Sequence, residues 1–297
     1  MFHRIRDMSS RAGLNRVLRR ILDTRQITAS GKDLLIFSAV SHRDVLMYLA
    51  AVKSLARFLP TPGVVALNDG SLTAADIAVL QHHLPGIRFV LGPDVNTGRV
   101  PADLMWQRLF WSVRLAEDAY VIQLDADTLA LARPGALLDA IAGGKSFILG
   151  TSECPSIEPI PTRTAAVLNN PSRHIQVTAE RAMINLPDAH TKRYIRGSAG
   201  LYGLAPDHVH HADPENLFVA MDKLTDGRFI EYGSEQFAAN YLVANAPRAV
   251  ALPFPTYAVH DIRDDLTGAI FLHFIGSYRF HHGAYARAAR AVIADLA

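Results

Sequence analysis

The 297-residue sequence contains a single cysteine, Cys154. No internal disulfide can form, so the fold does not depend on an oxidising compartment, and a cytoplasmic protein is expected. No apolar run reaches the roughly 18 residues needed to cross a bilayer, and no signal-peptide core follows the first residues, which argues against an integral membrane protein. The glycine-rich dinucleotide fingerprint and the Walker A loop are both missing, which disfavours nicotinamide-dependent dehydrogenases and P-loop kinases. Internal repeats are absent, and neither sign of charge dominates, since 30 basic residues face 28 acidic ones. What the chain has in quantity is apolar material: 49% is hydrophobic and 20% charged, ample for a packed globular core.

The charge is unevenly spread. Met1 to Gln26 carries seven arginines (Arg4, Arg6, Arg11, Arg16, Arg19, Arg20 and Arg25) against Asp7 and Asp23. The remaining chain holds 23 basic and 26 acidic residues, which argues against a nucleic-acid partner. Leu14, Val17, Leu18, Ile21 and Leu22 recur at helical spacing, so residues 1–28 are expected to form a basic amphipathic arm. Its apolar face either docks on the body of the protein or on a second subunit of a homo-oligomer, or makes a peripheral contact with the anionic inner face of a membrane.

Residues 29–297 read as one α/β domain, divided into a nucleotide-binding half (29–150) and an acceptor-side half (151–297). Strands are expected at 34–40, 64–67, 87–90 and 120–124, and helices at 42–58, 73–82 and 105–116. Continuous apolar strands separated by helices predict a mainly parallel sheet covered on both faces, with ligands at the carboxyl ends of its strands. Between 151 and 196 five prolines break the pattern, which reads as a substrate-side insertion. The pattern returns at 199–204, in a helix over 235–243 and in a strand near 270–272.

Chemistry is expected where the strand at 120–124 ends in Asp125-Ala126-Asp127. In an extended segment, residues two apart point to one side, so both carboxylates can meet one ligand while Ala126 packs inward. Two adjacent acids repel each other, and a hard divalent cation such as Mn²⁺ or Mg²⁺, bridged to a diphosphate, would relieve that repulsion. The bland alternative is a helix cap or an Asx turn. His273 to Arg279 is the second constellation: His273 as a third metal ligand, Gly276 for close backbone approach to a phosphate, and Arg279 as a forked phosphate clamp. Alone, His273 reads equally as a satisfied core residue. His281, His282 and the group His208 to His211 read as exposed loop residues whose spacing matches no zinc pattern.

In this order the motifs resemble the glycogenin-like and lipopolysaccharide-galactosyltransferase-like branch of the GT-A glycosyltransferases. Phe37-Ser38-Ala39-Val40, continuing through Tyr48 and Ser54, resembles the family's nucleotide-binding opening, and Arg108 its basic residue on the helix before the metal strand. Val121 to Thr128 matches the aspartate motif, with Gln123 where tyrosine is usual. Ser198-Ala199-Gly200-Leu201 resembles Asn-Ala-Gly-Val, and Glu235 to Asn240 resembles Asp-Gln-Asp-x-x-Asn with Phe237 in place of the third acid. His273 to Arg279 resembles His-x-x-Gly-x-x-Lys, with arginine for lysine.

The resemblance implies a GT-A fold and a metal-dependent hexosyltransferase of bacterial glycan biosynthesis. Such an enzyme moves a hexose from a UDP-sugar donor to a carbohydrate or lipid-linked acceptor, with retention. It makes Asp125, Asp127 and His273 the metal ligands, and Glu235 and Gln236 the residues facing the sugar, although a plain helix start explains those two equally well. Ser38, Arg108, Ala126, Gly276 and Arg279 become donor-binding residues. Asp69 joins them as the acid of an Asp-Gly-Ser turn, for which an ordinary turn is the alternative. A sugar nucleotidyltransferase is disfavoured because no glycine-rich loop follows the first strand, and a non-catalytic GT-A-like scaffold is the other competing reading.

Overall fold

The computed structural model describes residues 13–206, 213–261 and 264–297. Arg4, Arg6, Asp7, Arg11 and the group His208 to His211 lie outside the described residues. A helix over 13–19 (α1) leads through a 3₁₀ turn at Arg20–Asp23 into the domain. Leu14, Val17, Leu18 and Ile21 are buried in the main core, whereas Leu22 is 40% exposed. Most of the apolar stripe therefore packs against the protein's own body. The arginine face stays outward: Arg16, Arg19, Arg20 and Arg25 are all exposed.

Residues 29–150 follow the expected alternation closely. They run β1 (Leu34–Val40), α2 (Val45–Ala56), β2 (Gly63–Asn68), α3 (Ala74–His83), β3 (Arg88–Leu91), α4 (Leu104–Leu115) and β4 (Tyr120–Leu124). The start expected for α2 at His42 is instead a 3₁₀ turn over His42–Asp44. α3 begins where the Thr73 hydroxyl accepts from the Asp76 amide and the Asp76 carboxylate accepts from the Thr73 amide, a reciprocal cap. α4 begins where the Asp103 carboxylate accepts from the amides of Met105 and Trp106.

The second half adds β5 (Thr128–Ala130), α5 (Gly135–Ala142), β6 (Phe147–Leu149), β7 (Glu158–Pro159), α6 (Ile160–Val167), α7 (Ile175–Ala182), β8 (Arg193–Tyr194) and β9 (Ser198–Leu204). α8 (Pro214–Leu224), α9 (Ser234–Asn245), β10 (Val250–Leu252), β11 (Tyr257–Val259), β12 (Phe271–His273) and α10 (Ala284–Leu296) complete it. As the prolines require, the insertion holds only two-turn helices and a two-residue ladder of β7 with β8.

The main sheet has the order β10-β6-β9-β4-β1-β2-β3, parallel throughout except for β9, which runs antiparallel to both β4 and β6. Alternate residues of each strand enter different cores. Ile36, Val64 and Ile122 face α1, α2, α5 and α10, whereas Phe37, Val65 and Val121 face α4, α7, α8 and α9. The strand expected near 270 lies in a second sheet of order β11-β12-β5, where β12 runs antiparallel to β5 with His273 opposite Thr128. That pairing carries the far end of the chain to the end of β4.

Candidate active site

β4 ends at Leu124, and Asp125-Ala126-Asp127 forms a tight turn into β5: the Thr128 amide and hydroxyl both donate to the Asp125 carbonyl, at 3.2 and 2.7 Å. The convergence of the two carboxylates thus comes from a turn and not from strand periodicity. Ala126 packs partly on the core and also lines the cleft. The β12 backbone is stitched to the same turn, since the Phe274 amide donates to the Asp127 carbonyl at 2.9 Å.

His273 is buried, and its Nε2 lies 3.1 Å from Asp127 Oδ1 and 3.7 Å from Asp125 Oδ2. Its other ring nitrogen, Nδ1, sits 2.8 Å from the Ser198 hydroxyl. Gly200, on the same face of β9 two residues on, leaves the room this ring occupies, because a Cβ there would collide with the imidazole. One ligand atom from each of Asp125, Asp127 and His273 lies within 4.8 Å of the others. Two carboxylates and an imidazole oriented by a hydroxyl on its distal nitrogen form a donor set that could hold a divalent cation such as Mn²⁺ or Mg²⁺.

Cations flank the cluster. Arg279 Nη2 lies 3.3 Å from Asp127 Oδ2, and its Nε donates to the Gly276 carbonyl at 2.7 Å. Gly276 has φ +56°, a conformation that favours glycine, while no atom crowds its Cβ position. Arg108, buried under the floor, donates to Asp125 and to Glu235, the latter at 2.6 Å, and the Gln123 amide also donates to Asp125 at 2.8 Å.

The electrostatics follow from burial opposed by these partners. Burial alone would raise the Asp127 carboxyl, but His273 and Arg279 hold it below the usual range. Burial alone would lower His273, but Asp127 and Asp125 push it up. For Glu235, burial wins over Arg108 and raises the carboxyl.

The cleft has two connected parts. One, of about 270 Å³, is lined by the end of β1 and the start of α2 (Ala39, Ser41, Asp44, Met47) together with Arg108, Asp125, Asp127 and Arg279. The other, of about 350 Å³, adds Gln176, Tyr232, Glu235, Gln236, His273 and Gly276. Glu235 and Gln236 are both the first turn of α9 and part of the cleft wall, so the two readings of them coincide. Ser38 and Asp69 are not brought to the cleft. Ser38 is buried within β1, and Ala39 to Ser41 occupy its expected place. Asp69 is exposed and accepts from the amide and hydroxyl of Ser71, the ordinary turn the sequence also allowed. Tyr48 is buried, and Ser54 bonds the Ala51 carbonyl and the Ala130 amide. Sequence reasoning missed the role of Ser198 in holding His273, although Ser198 stands two residues before Gly200 on one strand face.

No family model and no curated protein matches the sequence. Solved structures do match. The galactosyltransferase LgtC, crystallised with donor and acceptor sugar analogues, superposes with a TM-score of 0.53 at 13% identity, over 89% of this chain and 96% of that one. An active-site mutant of LgtC in which a glutamine is replaced by glutamate gives 0.52. The bifunctional glycosyltransferase WbbM gives 0.50 at 12% identity, over 91% of this chain and 53% of that one. With its mainly parallel sheet, single antiparallel β9 and helices on both faces, the chain has the fold of the GT-A glycosyltransferases.

Proposed function

We propose that this protein is a hexosyltransferase that moves a hexose from a nucleotide-sugar, a UDP-hexose, to a hydroxyl of a carbohydrate or lipid-linked acceptor. The observation that carries this reading is the convergence of Asp125, Asp127 and His273 at the junction of the two cleft compartments. The smaller compartment holds the nucleotide against the end of β1. The larger one holds the sugar beside Glu235 and Gln236.

Asp125, Asp127 and His273 bind a divalent cation, which when bound supplies positive charge to the donor diphosphate. Arg279 is drawn off Asp127 onto the departing phosphate, where negative charge grows as the sugar leaves. Arg108, held between Asp125 and Glu235, fixes the metal ligand and the sugar-facing acid in one orientation. Gln236 faces the sugar with its amide; LgtC also has a glutamine in its active site. Retention of configuration rests on the resemblance alone.

The test is Asp127→Asn. Loss of one such contact costs about 3 kcal/mol, or roughly a hundredfold in rate, and UDP release from a competent donor and Mn²⁺-dependent UDP binding by calorimetry should both fall accordingly. Undiminished activity would sink the assignment. Wild-type protein that binds no UDP in Mn²⁺ would instead be a non-catalytic scaffold.

For the arginine face of α1 and of the segment that follows it to Arg25, we propose peripheral contact with anionic lipid. Replacing Arg16, Arg19, Arg20 and Arg25 by glutamine, which leaves the buried stripe intact, should release the protein from vesicles of anionic phospholipid. Unchanged sedimentation would remove the membrane from the proposal.

A further inference from the structure

A cavity of about 410 Å³, larger than either part of the cleft, lies at the opposite end of the main sheet's strands. It is bounded by the chain entering β1, the turn before β3 and the end of α4, and so sits at the amino ends of the parallel strands. The five residues of β4 separate it from Asp125, a span of about 17 Å. Its wall carries one aromatic ring, Trp111, and five charged side chains: Lys32, Asp33, Arg88, Arg114 and Asp118.

Two features distinguish this cavity from an ordinary charged hollow. Trp111 is fixed: its indole nitrogen donates to the Leu91 carbonyl at 2.9 Å, and the ring packs on the core beneath. A ring held in this way contributes contact area at little further ordering cost. The charged side chains are exposed and free to meet a ligand: Lys32, Asp33, Arg88 and Asp118 make no side-chain hydrogen bond or ion pair with the described residues, and Arg114 pairs only with Glu117, at 2.7 Å. Donors and acceptors are thus interleaved around an aromatic plane. A simple anion would meet the two carboxylates, and an apolar ligand would strand the charges. A pyranose suits the arrangement: its hydroxyls both donate to carboxylate and accept from guanidinium or ammonium, and its C–H face can lie on the indole.

We infer that this cavity is a second, non-catalytic saccharide-binding site. It holds a hexose unit of a glycan chain independently of nucleotide and metal, and it raises the local concentration of glycan at the surface.

The chain has two tryptophans, and Trp106 is fully buried in the core, so fluorescence quenching by added sugar reports on Trp111. Maltohexaose, cellohexaose, chitohexaose and a galactan hexasaccharide would each be titrated into the full-length protein without nucleotide or metal, by fluorescence and by calorimetry. At least one should quench saturably. Arg88→Gln combined with Asp118→Asn should weaken that binding about tenfold while leaving Mn²⁺-dependent UDP binding unchanged, and Asp127→Asn should not affect it. Three results would overturn the inference: no saturable binding of any of the four, displacement of the saccharide by UDP with Mn²⁺, or its displacement by inorganic phosphate. The first two arms need no transferase activity, so the site stands or falls separately from the catalytic reading.

Discussion

Two ionic networks in this molecule pair arginine with carboxylate and end in opposite states. In the insertion, Glu180 is fully buried between two guanidiniums, with Arg163 Nη2 at 3.1 Å and Arg196 Nε at 2.7 Å. Both carboxylate oxygens are satisfied from within, and the network ties α6, α7 and the approach to β9 together. At the cleft, Asp125, Asp127 and Glu235 face Arg108, Arg279 and His273, and Asp125 remains 26% exposed. With His273 protonated, three negative charges meet three positive ones, and a neutral ring, as metal ligation requires, leaves one negative charge in surplus. A closed network stabilises a segment that lacks a regular pattern. An open one, under the proposed function, leaves the place of the missing partner to a cation from outside.

The comparison can be broken from either side. The largest effect is expected from Glu180→Ala, which leaves the Arg163 guanidinium buried without its anion and Arg196 with only Glu153 at 3.9 Å: urea unfolding should show a loss of about 3–5 kcal/mol. A loss below about 1 kcal/mol would mean that the triad is not what holds the insertion. Arg279→Lys keeps the charge but not the fork, and should slow sugar transfer roughly tenfold to a hundredfold while the melting temperature stays nearly constant. An unchanged rate would show that Arg279 only neutralises Asp127. Ser198→Ala removes the group that orients His273 and should weaken Mn²⁺ affinity about tenfold by calorimetry. If the Mn²⁺ affinity does not move, the histidine is not a ligand.

The smallest effect is in pH. The pKa of His273 is raised above its ordinary 6.5 in the metal-free fold by Asp127 and Asp125, against burial. A base raised on folding contributes stability that is full below the unfolded pKa and is lost as pH rises through the folded value. Metal-free protein should therefore melt lower at pH 8 than at pH 6. Metal binding requires the neutral ring, so Mn²⁺ affinity should rise over the same interval. If both trends run the other way, His273 is neutral without metal and the site is not proton-competed.

Much of the first half was legible because each signal there is local. The apolar runs of β1, β2 and β4 are long enough to be seen, and Thr73 and Asp103 mark their helices by capping chemistry. β5, β6, β10 and β11 are not legible, since three residues carry no period, and for β12, expected near 270, the sequence leaves open which sheet it joins. α10 was readable in principle, as Tyr285, Ala289, Val292 and Ile293 keep helical spacing on a buried face. Ser38 and Asp69 were assigned to the donor by likeness of position, and the pleat of β1 and the Ser71 turn direct them elsewhere.

The sequence by itself determined the alternating α/β pattern, the arginine face with its apolar stripe, and the two aspartates at the end of a buried strand, because each depends on neighbours within a few positions. Only the tertiary structure decided that the stripe packs inward, that the aspartates converge through a turn, and that His273 arrives from a second sheet with Ser198 and Gly200 making its place. The last of these depends on strand pairing between residues from 77 (Leu124 and Leu201) to 145 (Thr128 and His273) positions apart, which no local period records.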